Sequence, residues 1–189
     1  MSTVTIVLGL VAAQRVAEAV YAERNTRTLK AGGAQEIGAG HYPLLVLLHA
    51  AWLAAMFLLV RADTPISWPW LSVYVALQGV RVWVIASLGR YWTTRIITLE
   101  AAPLVARGPY RWLRHPNYAV VVAEIAVLPL AFGAWRIALA FSVLNLALLA
   151  WRIRIEERAL APRRHALSIA DSLAAERLTA SGRQAERRS

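Results

Sequence analysis

Residues 43–60, PLLVLLHAAWLAAMFLLV, contain no charged side chain, and His49 is their only titratable residue. An apolar run of close to 20 residues is long enough to cross a bilayer as a helix. The rest of the chain has the same character, because 58% of its 189 residues are hydrophobic and 17% are charged, against about 25% charged in ordinary soluble domains. The eight tryptophans suit a lipid–water interface. The sequence therefore predicts an integral membrane protein.

Four further apolar stretches surround this one, at residues 3–21, 71–88, 118–130 and 137–151. The stretch 118–130 is short, and the brief connection that follows it predicts a tight antiparallel hairpin with the last stretch. We predict an all-α fold: a polytopic membrane helix bundle of about five transmembrane helices, with a cytoplasmic C-terminal helix. Residues 1–162 form the transmembrane domain, and residues 163–189 form a basic cytoplasmic tail that is helical or partly disordered.

Positive charge is concentrated in the segments that lie on one side of the predicted spans. Residues 22–41, residues 89–116 and the tail from Arg152 hold 17 of the 21 lysines and arginines. Because cytoplasmic loops carry an excess of Lys and Arg, the C-terminus is predicted in the cytoplasm and the N-terminus outside. The same distribution explains the net charge of +10 without a nucleic-acid partner, and the expected partner is the lipid bilayer.

Several reaction classes are excluded by composition and spacing. Cysteine is absent, so the chain has no disulfide framework, no thiolate nucleophile and no zinc–thiolate site, and we expect no metal. The glycine-rich segment 32–40 matches neither the phosphate-loop nor the dinucleotide-binding spacing. We interpret that segment as a turn.

The polar residues inside the predicted spans include Gln78 and the charged residues Arg15, Glu18, Arg81 and Glu124. Ionisable groups are costly within a bilayer, so they face a bundle interior, a cavity or a partner. Two interpretations remain open at this stage. The charges either neutralise one another and join helices, or they line a path for a substrate.

Residues 104–118, LVARGPYRWLRHPNY, form the densest polar cluster of the sequence. Two prolines and a glycine within nine residues preclude an ordinary helix, so the backbone turns beside the start of the span at 118–130. A membrane-boundary loop with basic and aromatic anchors explains Arg111 and Trp112. It does not explain His115, a titratable ring next to a helix-starting proline.

A second polar cluster, WRIRIEERAL at residues 151–160, follows the last span. Asn145, Arg152 and Glu156 are separated by seven and four residues, so they share one helix face as that span leaves the membrane. An Arg–Glu pair four residues apart is common on helices and contributes only a few tenths of a kcal/mol. Taken alone, this cluster indicates an ordinary ion pair.

Taken together, GPYRWLRHPNY and RIRIEERAL resemble the isoprenylcysteine carboxyl methyltransferase family. The family pattern is Gly-x-Tyr, Arg-His-Pro-x-Tyr, a helix hairpin and Arg-x-x-x-Glu-Glu-x-x-Leu. Residues 90–160 match it well, and GAGHYPLLVLLHAAW at residues 38–52 looks like the bacterial branch. The resemblance implies a methyltransferase in the inner membrane of a bacterium, with residues 1–162 as its methyltransferase domain.

The resemblance also implies a pocket for S-adenosylmethionine, with S-adenosylhomocysteine as product, built from residues 95–118 and 145–160. Arg152 is implied as the catalytic residue, and we expect it to contact the substrate together with Glu124 and Arg95. Such a pocket requires both polar clusters to contact one small molecule. The implied cofactor contacts are Ala102, Pro103, Leu104, Val105, Tyr110, His115, Pro116, Asn117, Tyr118, Glu156 and Glu157.

Three functions remain open from the sequence. The first is O-methylation of a prenylcysteine carboxylate, as the family name implies. The second is O-methylation of an alkylpyrone or phenolic lipid, products with which bacterial relatives are associated. The third belongs to another class, a non-catalytic membrane scaffold or small transporter whose path includes the charged residues inside the spans.

Overall fold

The computed structural model describes residues 2–38, 40, 42–99, 106–158 and 161. Two strands of two residues each, β1 (Gln35–Glu36) and β2 (Ile97–Thr98), pair antiparallel. The chain is mostly helical, as predicted, whereas the β pair was not predicted because two residues are too few to show an alternating pattern. The described residues contain five α-helices: α1 (Thr3–Ala31), α2 (Tyr42–Leu59), α3 (Trp68–Leu88), α4 (Pro116–Ala131) and α5 (Trp135–Arg158).

Four of these helices, α1, α2, α3 and α5, are long and apolar enough to cross a membrane. Helix α4 has 16 residues, a length of about 24 Å at the helical rise of about 1.5 Å per residue. It is therefore shorter than a hydrocarbon core of about 30 Å, and the predicted total of five spans stays a prediction. The tail, residues 163–189, and the predicted C-terminal helix lie outside the described residues.

Helix α1 continues to Ala31, well past the end of the predicted span at residue 21. The Asn25 amide donates hydrogen bonds to the backbone carbonyls of Gly89 at 3.2 Å and Trp92 at 2.8 Å. These buried contacts hold the polar end of α1 against the chain that follows α3. Hydropathy marks only the apolar part of a helix, so it does not register such an extension.

The connection between α4 and α5 is the tight hairpin that the sequence predicts. Gly133 adopts a positive φ of 65°, a conformation that favours glycine, and the Ala134 N–H donates to the Pro129 carbonyl at 2.9 Å. The Ser67 N–H, just before α3, donates to the Ala131 carbonyl at 2.8 Å. The α2–α3 and α4–α5 connections therefore lie at the same end of the bundle.

The opposite end gathers the basic segments. The β1–β2 pair joins the α1–α2 connection to the connection between α3 and α4, and the side chain of Tyr118, at the start of α4, bonds to Glu156 near the end of α5. The charge asymmetry along the sequence is thus an asymmetry between the two ends of the bundle. Which end faces the cytoplasm stays a prediction.

The core and the outer surface are both apolar. Leu8, Trp52 and Leu128 are fully buried between the helices, whereas Leu58 and Leu59 on α2 are 81% and 71% exposed. A soluble domain rarely exposes a contiguous apolar surface of this kind. The exposed side chains are those that a bilayer would cover.

Candidate active site

A network of charged side chains joins α1, α3 and α4 inside the bundle. Arg81 donates to both oxygens of Glu18, at 2.6 Å each, and to Glu124 at 2.9 Å. Arg15 donates to Glu124 at 2.8 Å and to Glu18 at 3.1 Å. Of the two interpretations left open by the sequence, this arrangement favours charges that neutralise one another and join helices, in one neutral cluster of two guanidiniums and two carboxylates.

Glu124 belongs to this cluster and not to the wall of the cavity described below. It is 1% exposed, and it also accepts a hydrogen bond from the Gln78 amide at 2.9 Å. This position favours the alternative interpretation, a contact between helices, over the predicted contact with substrate.

The segment before α4 is irregular, as its prolines and glycine predict. A 3-10 helix spans Gly108–Arg111, and Gly108 has a φ of +56°. A Cβ atom added to Gly108 would lie 2.2 Å from the Ser87 Oγ, so only glycine permits this approach to α3. Arg107 strengthens the contact, because its Nε donates to the Ser87 carbonyl at 2.7 Å.

The two polar clusters meet where α4 begins and α5 ends. The Tyr118 hydroxyl donates a short hydrogen bond to Glu156 and accepts one from the Arg152 Nε at 2.7 Å. The His115 ring stacks on the Tyr118 ring with centroids 5.2 Å apart. The proximity that a shared small molecule requires is therefore present.

A cavity of about 780 Å³ opens beside this junction, within the range of about 300–1,000 Å³ typical of small-molecule sites. Of the predicted cofactor contacts that the structure describes, Pro116 and Glu157 do not line it. Glu157 lies outside the wall, 3.8 Å from both Arg114 and His115. The predicted site residues that line the cavity are Arg95, Tyr110, His115, Asn117, Tyr118, Arg152 and Glu156.

Four buried polar atoms of the cavity wall have no hydrogen-bond partner among the described residues. They are the Nε2 of His115 and the Oδ1 of Asn117 at the junction, the Nε1 of Trp92, and the Nε of Arg15 in the charged network. Buried polar groups are nearly always satisfied, so each exception needs an explanation. A polar ligand in the cavity would supply the missing partners.

Tyr110 forms another part of the wall. Its burial, and then the negative charge of Glu156, raise the pKa of the Tyr110 phenol. The phenol is therefore a neutral hydrogen-bond donor and acceptor at physiological pH.

Arg95 lies on the cavity wall, two residues before β2. Its Nη1 donates to Glu36 of β1 at 2.9 Å, and its guanidinium lies over the Tyr42 ring at 4.3 Å from the centroid. Burial works to raise the pKa of Glu36, but hydrogen bonds from Lys30 and Arg95 outweigh it and hold that pKa below its usual range. The predicted contacts Ala102, Pro103, Leu104 and Val105 lie outside the described residues.

Sequence reasoning missed part of the cavity wall. Tyr42, His49, Trp92 and Thr94 all line it. His49 carried a usable signal, because a titratable residue inside a predicted span is costly and marks a functional candidate. The other three lie near span ends, where aromatic and hydroxyl side chains are ordinary.

Comparison with known proteins relates the chain to one family. The sequence model of the Isoprenylcysteine carboxyl methyltransferase (ICMT) family matches residues 70–162, which include the whole junction of α4 and α5. The uncharacterized protein YpbQ of Bacillus subtilis (strain 168) is 39% identical over 160 residues, or 82% of this chain and 95% of YpbQ. No solved structure matches the chain.

Proposed function

Because the chain belongs to the isoprenylcysteine carboxyl methyltransferase family, a family of membrane methyltransferases, we propose that it is an S-adenosylmethionine-dependent O-methyltransferase. Its acceptor is a lipophilic acid or acidic hydroxyl compound, methylated at the cytoplasmic face of the bilayer. The observation that carries the proposal is the junction of Tyr118, Arg152 and Glu156 beside a cavity of about 780 Å³. A scaffold without a ligand has no need of such a cavity.

The residues of the cavity fit S-adenosylmethionine. The unpartnered atoms of His115 and Asn117 suit the polar adenine and amino-acid ends of this molecule. The Glu156 carboxylate is suited to accept hydrogen bonds from a ribose hydroxyl or from the ammonium group. Tyr110 adds a neutral phenol to the same wall.

S-adenosylmethionine supplies a methyl group bound to a sulfonium sulfur, which is transferred by in-line displacement. The residues of the chain then have to position the acceptor oxygen and exclude water. Arg152 is suited to orient a carboxylate or an enolate-like oxygen, because a guanidinium stabilises negative charge on oxygen. The Arg152 Nε donates to the Tyr118 hydroxyl, which holds Arg152 in place. Because the transfer is a direct displacement, no covalent intermediate is needed.

Binding of S-adenosylhomocysteine to the purified protein in detergent, measured by calorimetry, tests the proposal. Replacing Glu156 or His115 with Ala removes a hydrogen-bonding group from the cavity wall and is expected to weaken binding by about tenfold or more, equivalent to about 1.4 kcal/mol. Asp63→Ala is the matched control, because Asp63 is exposed in the connection between α2 and α3. Unchanged affinity for S-adenosylhomocysteine in both cavity variants would refute the proposed pocket.

A further inference from the structure

The cavity continues past the junction into the middle of the bundle, where its wall becomes polar again. His49 of α2 lines this inner part together with Arg15, Glu18 and Arg81 of the charged network. Polar and charged groups are costly inside a bilayer, and a cavity that held only a hydrocarbon tail would not need them. The inner part therefore fits an occupant with a polar group of its own.

The two polar levels are separated along α4. Tyr118 belongs to the outer level, and Glu124, which pairs with Arg15 and Arg81, marks the inner one. Six residues of helix separate them, a rise of about 9 Å. This rise along α4 sets the scale of the spacing between the two polar groups of a molecule that contacts both levels.

The inner level favours an uncharged group. Arg15 and Arg81 are each paired with both Glu18 and Glu124, so the four charges neutralise one another. An additional ion at this level would be desolvated without a counter-charge of its own, which is unfavourable. A hydroxyl or amide group carries no such penalty once it is hydrogen-bonded.

His49 offers the complementary hydrogen-bonding atom. Its Nδ1 lies 2.8 Å from the Leu45 carbonyl oxygen, and because a carbonyl only accepts, Nδ1 carries the proton. In the uncharged ring, Nε2 is then an acceptor. No described residue hydrogen bonds to Nε2, so it is available to a donor within the cavity.

The inner part of the cavity also reaches the lipid-facing surface. Val16 of α1 and Val46 of α2 line the cavity and are 64% and 50% exposed, more than side chains enclosed in a bundle interior would be. An occupant of this part can therefore extend an apolar tail between α1 and α2 into the bilayer. The occupant is an amphiphile.

We propose that His49 forms a second subsite for the molecule that is methylated. This subsite recognises an uncharged hydroxyl or amide group, which donates a hydrogen bond to His49 and lies about 9 Å from the oxygen that is methylated. The preferred acceptor is then a lipid with two polar groups and not a simple acid on a hydrocarbon chain. This inference rests on the proposed function for the position of the first group, at Arg152. His49 acts on acceptor recognition alone, so binding of S-adenosylhomocysteine does not depend on it.

A matched pair of probes tests the subsite. Hexadecanoic acid is compared with a monohydroxylated hexadecanoic acid whose hydroxyl lies about 9 Å from the carboxylate along the extended chain. Affinities are measured by calorimetry on the full-length protein saturated with S-adenosylhomocysteine. Wild type is expected to bind the hydroxy acid about tenfold more tightly.

Three variants separate the subsite from general effects on the fold. His49→Leu is expected to reduce the preference to less than about threefold, and His49→Gln, which keeps an acceptor, is expected to retain part of it. Leu58→Val, a change at an exposed position of the same helix outside the cavity, leaves the preference unchanged. All three variants keep the wild-type affinity for S-adenosylhomocysteine.

The outcomes distinguish the two proposals. A wild-type protein without preference for the hydroxy acid, or an equal preference in wild type and His49→Leu, overturns the His49 subsite while binding of S-adenosylhomocysteine stays intact. Failure of S-adenosylhomocysteine to bind the wild-type protein refutes the proposed function by itself. Nitrogen-15 NMR of the histidine rings gives an independent readout, since only the hydroxy acid is expected to shift the His49 Nε2 signal.

Discussion

The hydroxyl of Tyr118 connects the two polar clusters, because it donates to Glu156 and accepts from Arg152. The phenol of Tyr118, on α4, thereby orients two charged side chains of α5, the Arg152 guanidinium and the Glu156 carboxylate. The Arg152 side chain is almost fully buried, so it is held in one geometry. Such preorganisation can hold an acceptor oxygen in line with the methyl group without further rearrangement.

Replacing Arg152 with Ala is expected to reduce methyl transfer by about 100-fold or more, the order of loss when a reacting group is misplaced by about 1 Å. The affinity for S-adenosylhomocysteine is expected to stay within about threefold of wild type, since Arg152 is assigned to the acceptor side. Turnover with labelled S-adenosylmethionine and calorimetry measure the two effects separately. Arg154→Ala, two residues along the same helix and exposed, is the control, and full activity of Arg152→Ala would place the reaction centre elsewhere.

At the scale of elements, the irregular segment before α4 sets the position of the site. Gly108 allows this segment to approach α3 closely, and the 3-10 helix that follows places Tyr110 on the cavity wall. His115 then precedes α4, which starts at Pro116, where a missing N–H is tolerated. The chemistry of the motif therefore depends on a backbone path that only a few residue types permit.

Gly108→Ala is expected to destabilise the fold and weaken binding of S-adenosylhomocysteine. A positive φ costs a residue with a Cβ about 1–2 kcal/mol, and the contact with Ser87 adds to this. Thermal unfolding in detergent measures the loss. Gly79→Ala, at a position in α3 with nothing within 4 Å of the added Cβ, is the matched control and is expected to be neutral or slightly stabilising. Equal melting temperatures for the two variants would contradict this account of the turn.

The β1–β2 pair is the second element that shapes the cavity, and its stability is expected to depend on pH. The pKa of Glu36 lies below its ordinary value of 4.5 in the folded protein. A lowered pKa means that the Glu36 contacts stabilise the fold above that ordinary value and are lost as pH falls through the folded pKa. Because the contacts lie near the surface, they contribute about 1 kcal/mol or less.

Glu36→Gln tests this assignment. The variant is expected to melt below wild type at neutral pH, and the difference is expected to vanish at a pH below the folded pKa of Glu36, where the wild-type carboxyl is also neutral. The difference in melting temperature between the two proteins is measured by thermal unfolding from about pH 3 to about pH 7, the range in which carboxylates titrate. A difference that stays constant across the series would mean that the charge of Glu36 is irrelevant.

At the scale of the whole molecule, the bundle has one basic end and one end with few charges. The cavity opens at the basic end, where Arg95 and Arg114 line it. The positive-inside rule predicts that this end faces the cytoplasm, the side on which the proposed methylation takes place. The position of the site and the charge distribution are thus mutually consistent.

Single cysteines test the orientation, because the natural chain has none. Asp63 and Arg114 have exposed side chains at opposite ends of the bundle. A membrane-impermeant maleimide added to intact spheroplasts is expected to label Asp63→Cys. The same reagent is expected to label Arg114→Cys only after the membrane is permeabilised. The reverse pattern would invert the topology.

Much of the fold could be predicted from the sequence because a membrane span is a local property. Hydropathy over about 20 residues identifies a spanning helix without knowledge of its neighbours, and it located the apolar parts of all five helices. The prolines and glycine around Gly108 likewise predicted a turn, and the two motifs pointed to one candidate site. Hydropathy did not predict the polar end of α1, where the Asn25 amide donates a hydrogen bond to the carbonyl of Trp92.

By itself, the sequence determined the helical membrane class, the family and the residues of the motif junction, since each depends on residues near one another in the chain. Only the tertiary structure decided which distant residues meet. Glu124 contacts Arg15, 109 positions away, and His49 lines the same cavity as Arg152. Hydropathy and spacing describe one segment at a time, whereas the distance between two helices depends on how all of them pack.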